Sequence, residues 1–196
     1  MLKKGTKIAA ISFFCTYLML GTALAAPVKN LETGDLNVDF MIHNSSDSGS
    51  NFNFDYKITH SLTVGFEKTN WRSAGYKANE TYAQFNFGPN SRFIVGNVSM
   101  DSHNKSFFGG ATNGFLNEDW DYYVSQVVGS HFRESQVGLS YKLTDDLKTN
   151  FTYRISKFND KKCDGFYWGL SYRFNIGGIN KENDEGDSEY KFPLVW

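Results

Sequence analysis

Four histidines, two cysteines and a scatter of serines and acids are the groups of this 196-residue chain that could act on a substrate. His43 stands beside Asn44-Ser45-Ser46-Asp47, and His131 lies within Ser130-His131-Phe132-Arg133-Glu134-Ser135. Either run holds a hydroxyl, an imidazole and an acid, the parts of a hydrolase-like nucleophile, base and orienting group. The same residue types are ordinary in polar loops, and sequence supplies no geometry that joins them. No catalytic residue is therefore assigned. His60 falls in a turn and His103 in a Ser/Asn-rich loop, and neither is given a role. No His/Cys/Asp/Glu cluster has ligand spacing and no phosphate loop is present, so neither a metal nor a cofactor is expected. Cys163 follows Lys161-Lys162 in a loop, where cations would lower a thiol pKa; a solitary loop thiol is by itself no site.

What must position such groups depends on compartment and on secondary structure. Lys3, Lys4 and Lys7 precede an apolar run from Ile8 to Leu20, which ends in Gly21, Thr22 and Ala23-Leu24-Ala25. A basic start, an apolar centre and a small-residue end mark a secretory signal peptide, expected over residues 1–25. Read as an uncleaved anchor, the run falls short of the roughly 20 apolar residues that a spanning helix needs. Losing the leader removes three lysines and moves the formal charge from −1 to about −4, so nothing suits the chain to nucleic acid. It also leaves Cys163 as the one cysteine, which excludes an intramolecular disulfide. No second long apolar run follows, so any membrane crossing has to be made by strands.

Strict alternation of apolar and polar residues, the mark of a strand with two different environments, recurs along the rest of the chain. It covers Leu36–His43, Phe52–Thr59, Leu62–Glu67 and Tyr82–Phe87, then Gln136–Leu143, Leu147–Ser156 and Phe166–Phe174; Arg92–Met100, whose two faces are not assigned, is counted with them. These eight segments predict an all-β protein: an eight-stranded antiparallel up-and-down transmembrane β-barrel over residues 26–175. Short links at His60-Ser61, at Gly88–Ser91 and at Thr144–Asp146 alternate with longer ones at about 44–50, 70–79, 101–134 and 158–164, the expected sorting of periplasmic turns and outer loops. Within the third long link, Trp120, Tyr123, Val124, Val127 and Val128 recur at helical spacing behind Asn117. A short helix over 118–129 is expected there, with Glu118 and Asp119 in its first turn. A ninth strand, Tyr122–Ser130, is the competing reading.

The two faces of such a barrel differ sharply. One carries Asp39, Asp55, Lys57, Glu67, Lys142, Lys148, Arg154 and Arg173 among Asn, Thr, Ser and Gly. Buried singly in a soluble core, such charges would each cost several kcal/mol on the order of; lining a lumen, acids and bases can pair. The other face is Leu, Val, Ile, Phe, Tyr and Trp, which hydrocarbon accepts and water would not. A soluble lipocalin-type barrel needs an apolar lumen, and here the apolar face is too continuous and aromatic for one cavity.

The leader, the alternation and the segment Phe166-Tyr167-Trp168-Gly169-Leu170-Ser171-Tyr172-Arg173-Phe174 resemble the small bacterial outer-membrane barrels of the OmpA/OmpX type, whose last strand often ends as Gly-x-x-Tyr-x-Phe. The resemblance implies location in a bacterial outer membrane, contact with outer-membrane lipid, and reading of the last strand by the barrel-assembly machinery. It makes Tyr172 and Phe174 the assembly-signal candidates. That family usually stops at the terminal aromatic, whereas this chain continues as an acidic tail, 176–196, so Trp196 is a third candidate. The expected function is a structural or surface-interaction role in the envelope, without enzymatic activity, any extracellular ligand being held by the long loops. A narrow porin-like channel and an outer-membrane lipid-modifying enzyme are the alternatives.

Overall fold

The alternating segments become strands because each puts polar groups on one side and apolar groups on the other, and closing the sheet removes its edges. The computed structural model describes residues 31–43, 49–71 and 75–176; the expected signal peptide, most of the acidic tail and Trp196 lie outside them. Ten strands are present among these residues: β1 (Asp35–His43), β2 (Gly49–Lys57), β3 (Leu62–Trp71), β4 (Tyr76–Asn86), β5 (Ser91–Met100), β6 (His103–Phe115), β7 (Trp120–Gly129), β8 (Phe132–Lys142), β9 (Leu147–Phe158) and β10 (Lys161–Asn175). Each pairs antiparallel with its sequence neighbour, and β1 pairs with β10, Asp35 opposite Asn175 and His43 opposite Tyr167. The barrel is closed. We call the end that holds Asp35 and Asn175 the lower end, and the end that holds His43 and Lys161 the upper.

The expected eight strands with a helix are thus corrected to ten strands, and no helix occurs among the described residues. Both missing strands lie in the supposed loop 101–134. β6 escaped notice because Gly109, Gly110 and Gly114 interrupt its alternation. β7 looked helical because both its faces are apolar in part: Tyr123 and Val127 point inward and are buried, whereas Val124 and Val128 alternate with them. Asn117 does cap, its Oδ1 accepting from the amides of Asp119 and Trp120 at 2.9 Å each. The hydrogen bonds are those of a helix start, but the chain leaves them as a four-residue turn into β7.

With two strands added together the count stays even and the chain still runs up and down, yet the expected sorting of link lengths is lost. Asp101-Ser102, Ser130-His131 and Asn159-Asp160 join the upper ends in two residues each. Asp101 and Ser102 take φ of 48° and 67°, the left-handed pair of a type I′ hairpin turn, whose twist matches that of the strands. The lower links are four residues long, and two are pinned by Thr59 and Thr144, whose hydroxyl oxygens accept from the amides of Leu62 and Leu147 at 3.1 and 3.0 Å. No helix of the described residues is long and apolar enough to cross a membrane.

Outward, the wall is a belt of large apolar side chains. Phe40 is 56 % and Phe166 66 % exposed, and Phe54, Phe93, Phe108, Leu139, Phe151, Trp168 and Leu170 stand out likewise. Inward, bulky rings seat against glycines on the adjoining strand. The Tyr82 ring lies 2.3 Å from where a Cβ on its partner Gly65 would be, and the Tyr123 ring 2.1 Å from that of Gly138. Only a residue without a side chain leaves room for the neighbour's ring to lie flat across the curved wall.

Candidate functional site in the barrel lumen

The lumen has three layers. At the lower end a vestibule of about 670 Å³ opens between the turns, lined with both signs of charge. Lys148 pairs with Asp121, Lys142 with Asp145, and Arg173 with Asp146 at 3.1 Å and with Asp35 at 3.8 Å. Lys142 and Arg173 therefore stand in the mouth, partly exposed, rather than deep inside.

The middle layer is buried and densely hydrogen-bonded. Asp39 and Asp55 are buried and share the Asn53 amide, which donates to Asp39 at 3.2 Å and to Asp55 at 2.7 Å. The Tyr82 hydroxyl donates to Asp55 at 2.9 Å. Lys57 is buried at the floor of this layer, and Arg92, missing from the sequence-based set, donates to Gln84 at 3.1 Å. Above them Arg154, 2 % exposed, reaches three carboxylates: Glu67, Glu134 and, at 3.1 Å, Glu80. Its Nε donates to Ser156 at 3.0 Å and its Nη1 to Thr69 at 2.9 Å. Each guanidinium donor is satisfied, as a buried cation requires.

The upper layer is an aromatic plug. Trp71, Tyr76, Met100, Phe107, Phe132, Phe158 and Cys163 are all buried in one cluster. His43 stacks on Trp71 with ring centroids 3.9 Å apart and meets the edge of Tyr167 at 5.1 Å. Gly165 makes the room, since its Cβ would fall 2.0 Å from His43 Nε2. Phe107, Phe132 and Phe158 pack in series, their ring centroids 5.4 and 6.2 Å apart.

Residues 44–47, the partners expected for His43, lie outside the described residues. His43 is a packing residue of the plug. His131 is exposed in the β7–β8 turn with φ 59°, whereas Glu134 turns inward to Arg154. Cys163 is not in a loop: it is an inward residue of β10, 1 % exposed, with Sγ 3.6 Å from the Tyr167 hydroxyl. Of the sequence-based interior charges, Asp39, Asp55, Lys57, Glu67 and Arg154 are buried in the lumen, and Lys148 lies part-buried near its mouth. Glu80 and Glu134 were passed over because they sat at the ends of supposed loops. Extending the alternation two residues back, from Tyr82 and from Gln136, finds both.

No family model and no curated protein sequence matches the chain. Solved structures that align with the chain include bacterial outer-membrane barrels. The N-terminal β-barrel domain of Pseudomonas aeruginosa OprF is 11 % identical, with a TM-score of 0.40, over 74 % of this chain and all of that one. The KdgM porin in complex with disordered oligogalacturonate is 11 % identical with a TM-score of 0.42, over 71 % of this chain and 99 % of that one. The Yersinia pestis outer membrane protein Ail is 13 % identical with a TM-score of 0.38, over 71 % and 97 %.

Proposed function

We propose that the chain is an integral outer-membrane β-barrel with a structural and surface-contact role, and that it does not conduct. The observation that carries this reading is the inversion of the barrel: charges and amides fill the inside, while phenylalanines, leucines and tryptophan cover the outside. Water would leave that belt as one large exposed apolar surface, whereas hydrocarbon covers it without penalty. The plug supports the non-conducting half of the reading, because its buried rings fill the upper lumen above the Arg154 layer.

A specific feature supports surface contact at the upper rim. Arg133 and Lys157 are cross-strand partners, and so are Lys157 and Lys162, so three cations stand side by side across β8, β9 and β10. They alternate with inward Phe132, Phe158 and Cys163 and so face outward. Lys162 meets Asp164 of its own strand at 3.4 Å; adjacent like charges repel unless anions lie between them, and lipid phosphates at the edge of the belt would supply a further one. The lower end, where β1 begins and β10 ends, then faces the periplasm. Delivery by a cleavable leader over residues 1–25, kinship with the OmpA/OmpX type, and recognition of outward Tyr172 and Phe174 by the assembly machinery belong to the same proposal.

Planar-bilayer recording of the refolded full-length protein tests it. No steady openings are expected; stepwise conductance would instead favour a narrow porin-like channel. A product that stays monomeric in water without detergent would remove the membrane reading altogether.

A further inference from the structure

The register of β3 and β4 sets Glu67 directly opposite Glu80, both inward and both 1 % exposed. Like charges placed so are destabilising, and Glu134 adds a third carboxylate. One oxygen of each of the three lies within 4.8 Å of the others. Arg154 supplies a single positive charge to the group, so with all four side chains ionised the buried cluster carries an excess of two negative charges. Such an excess costs several kcal/mol on the order of, unless something neutralises it.

The oxygens that remain say what kind of group would do so. Arg154 uses Glu67 Oε1, Glu80 Oε1 and Glu134 Oε2. Glu67 Oε2 and Glu80 Oε2 are fully buried and meet no donor among the described residues. Two further buried oxygens are unpartnered beside them. One is the Asn51 Oδ1, on the same amide whose nitrogen donates to Glu67 at 2.7 Å. The other is the Tyr76 hydroxyl, 0 % exposed and within electrostatic reach of Glu80 and Glu134. Carboxylate, amide and hydroxyl oxygens without imidazole or thiolate are the donor set of a hard cation.

We propose that this cluster is a divalent-cation site, and that the cation is Ca²⁺, held by Glu67 and Glu80 with Asn51 and Tyr76 completing the oxygen shell next to the Arg154 guanidinium. One divalent charge cancels the excess of two. Calcium accepts about six to eight oxygens in a flexible shell, which suits a mixed set of carboxylate, amide and hydroxyl donors, whereas magnesium demands near-ideal octahedral geometry and usually keeps several waters. The site locks β2, β3 and β4 to β8 and β9 through the lumen, beneath the plug. It is a structural staple, independent of whether the barrel conducts.

The test uses the full-length protein refolded in a non-ionic detergent and stripped with a chelator. Adding Ca²⁺ to about 100-fold above its dissociation constant is expected to raise the unfolding midpoint by roughly 5–10 °C, and metal analysis after dialysis against Ca²⁺ should find one ion per chain. In Glu80→Gln both effects should be lost, while the chelator-treated variant unfolds at a higher temperature than chelator-treated wild type because one excess charge is gone. Glu118→Gln, at the vestibule, should respond to Ca²⁺ as wild type does. A wild-type midpoint indifferent to Ca²⁺, with no ion retained, would overturn the proposal and leave protons as the neutralising charge. A response that survives in Glu80→Gln would overturn it as well, by placing the ion elsewhere.

Discussion

Arg154 joins β9 to Glu67 and Glu80 on the far side of the lumen and to Glu134 on the neighbouring strand, all buried. Removing the guanidinium leaves three carboxylates without the basic side chain that pairs with all of them. Arg154→Ala is accordingly expected to destabilise the barrel by at least about 3–5 kcal/mol; the folded, fast-running band on an unboiled gel should fall away. Arg154→Lys should rescue only part of it, because an ammonium cannot span three acceptors as the planar fork does. Arg154 and Glu67 were both legible as inward residues from period two. That they meet was not, since 87 residues separate them along the chain and alternation states a face without a partner.

At the scale of strands and turns, the upper hairpins are tied to each other rather than extended as loops. Lys161, at the start of β10, donates to Asp101 in the β5–β6 turn and to the Gly75 carbonyl at 3.2 Å. The ammonium beside Asp101 holds its carboxyl below the usual carboxylate value. A depressed folded-state pKa contributes stability above the unfolded value and loses it as pH falls through the folded one. Asp101 should therefore titrate, by NMR, at a lower midpoint in the native protein than in Lys161→Ala, and the variant should lose its acid-side stability difference from wild type below pH of roughly 4. The strands that period two marked were found in place, and the two it missed show its limit. Glycines at 109, 110 and 114 supply no face to read, and the partly apolar inner face of β7 mimics a helix.

For the molecule as a whole, the outward belt decides the solvent. Leu139, at the middle of β8 and 40 % exposed, is one of its residues. Leu139→Arg should destabilise the barrel in lipid vesicles by ~2–4 kcal/mol if the residue lies near the bilayer midplane, measured by urea unfolding, whereas Ser140→Asn on the lumen side should cost far less. The sequence by itself determined that the chain is all-β, that polar and apolar residues take opposite walls, and which of them do so wherever the alternation is unbroken, because strand geometry sends successive side chains to opposite faces whatever the surroundings. Tertiary structure alone decided that ten strands close the barrel, that Glu67, Glu80, Glu134 and Arg154 converge, that Cys163 is interior, and that rings from β3, β4, β6, β8 and β9 pack together inside it. Those outcomes depend on closure and register, which bring together residues far apart in the chain, and a local period holds no information about either.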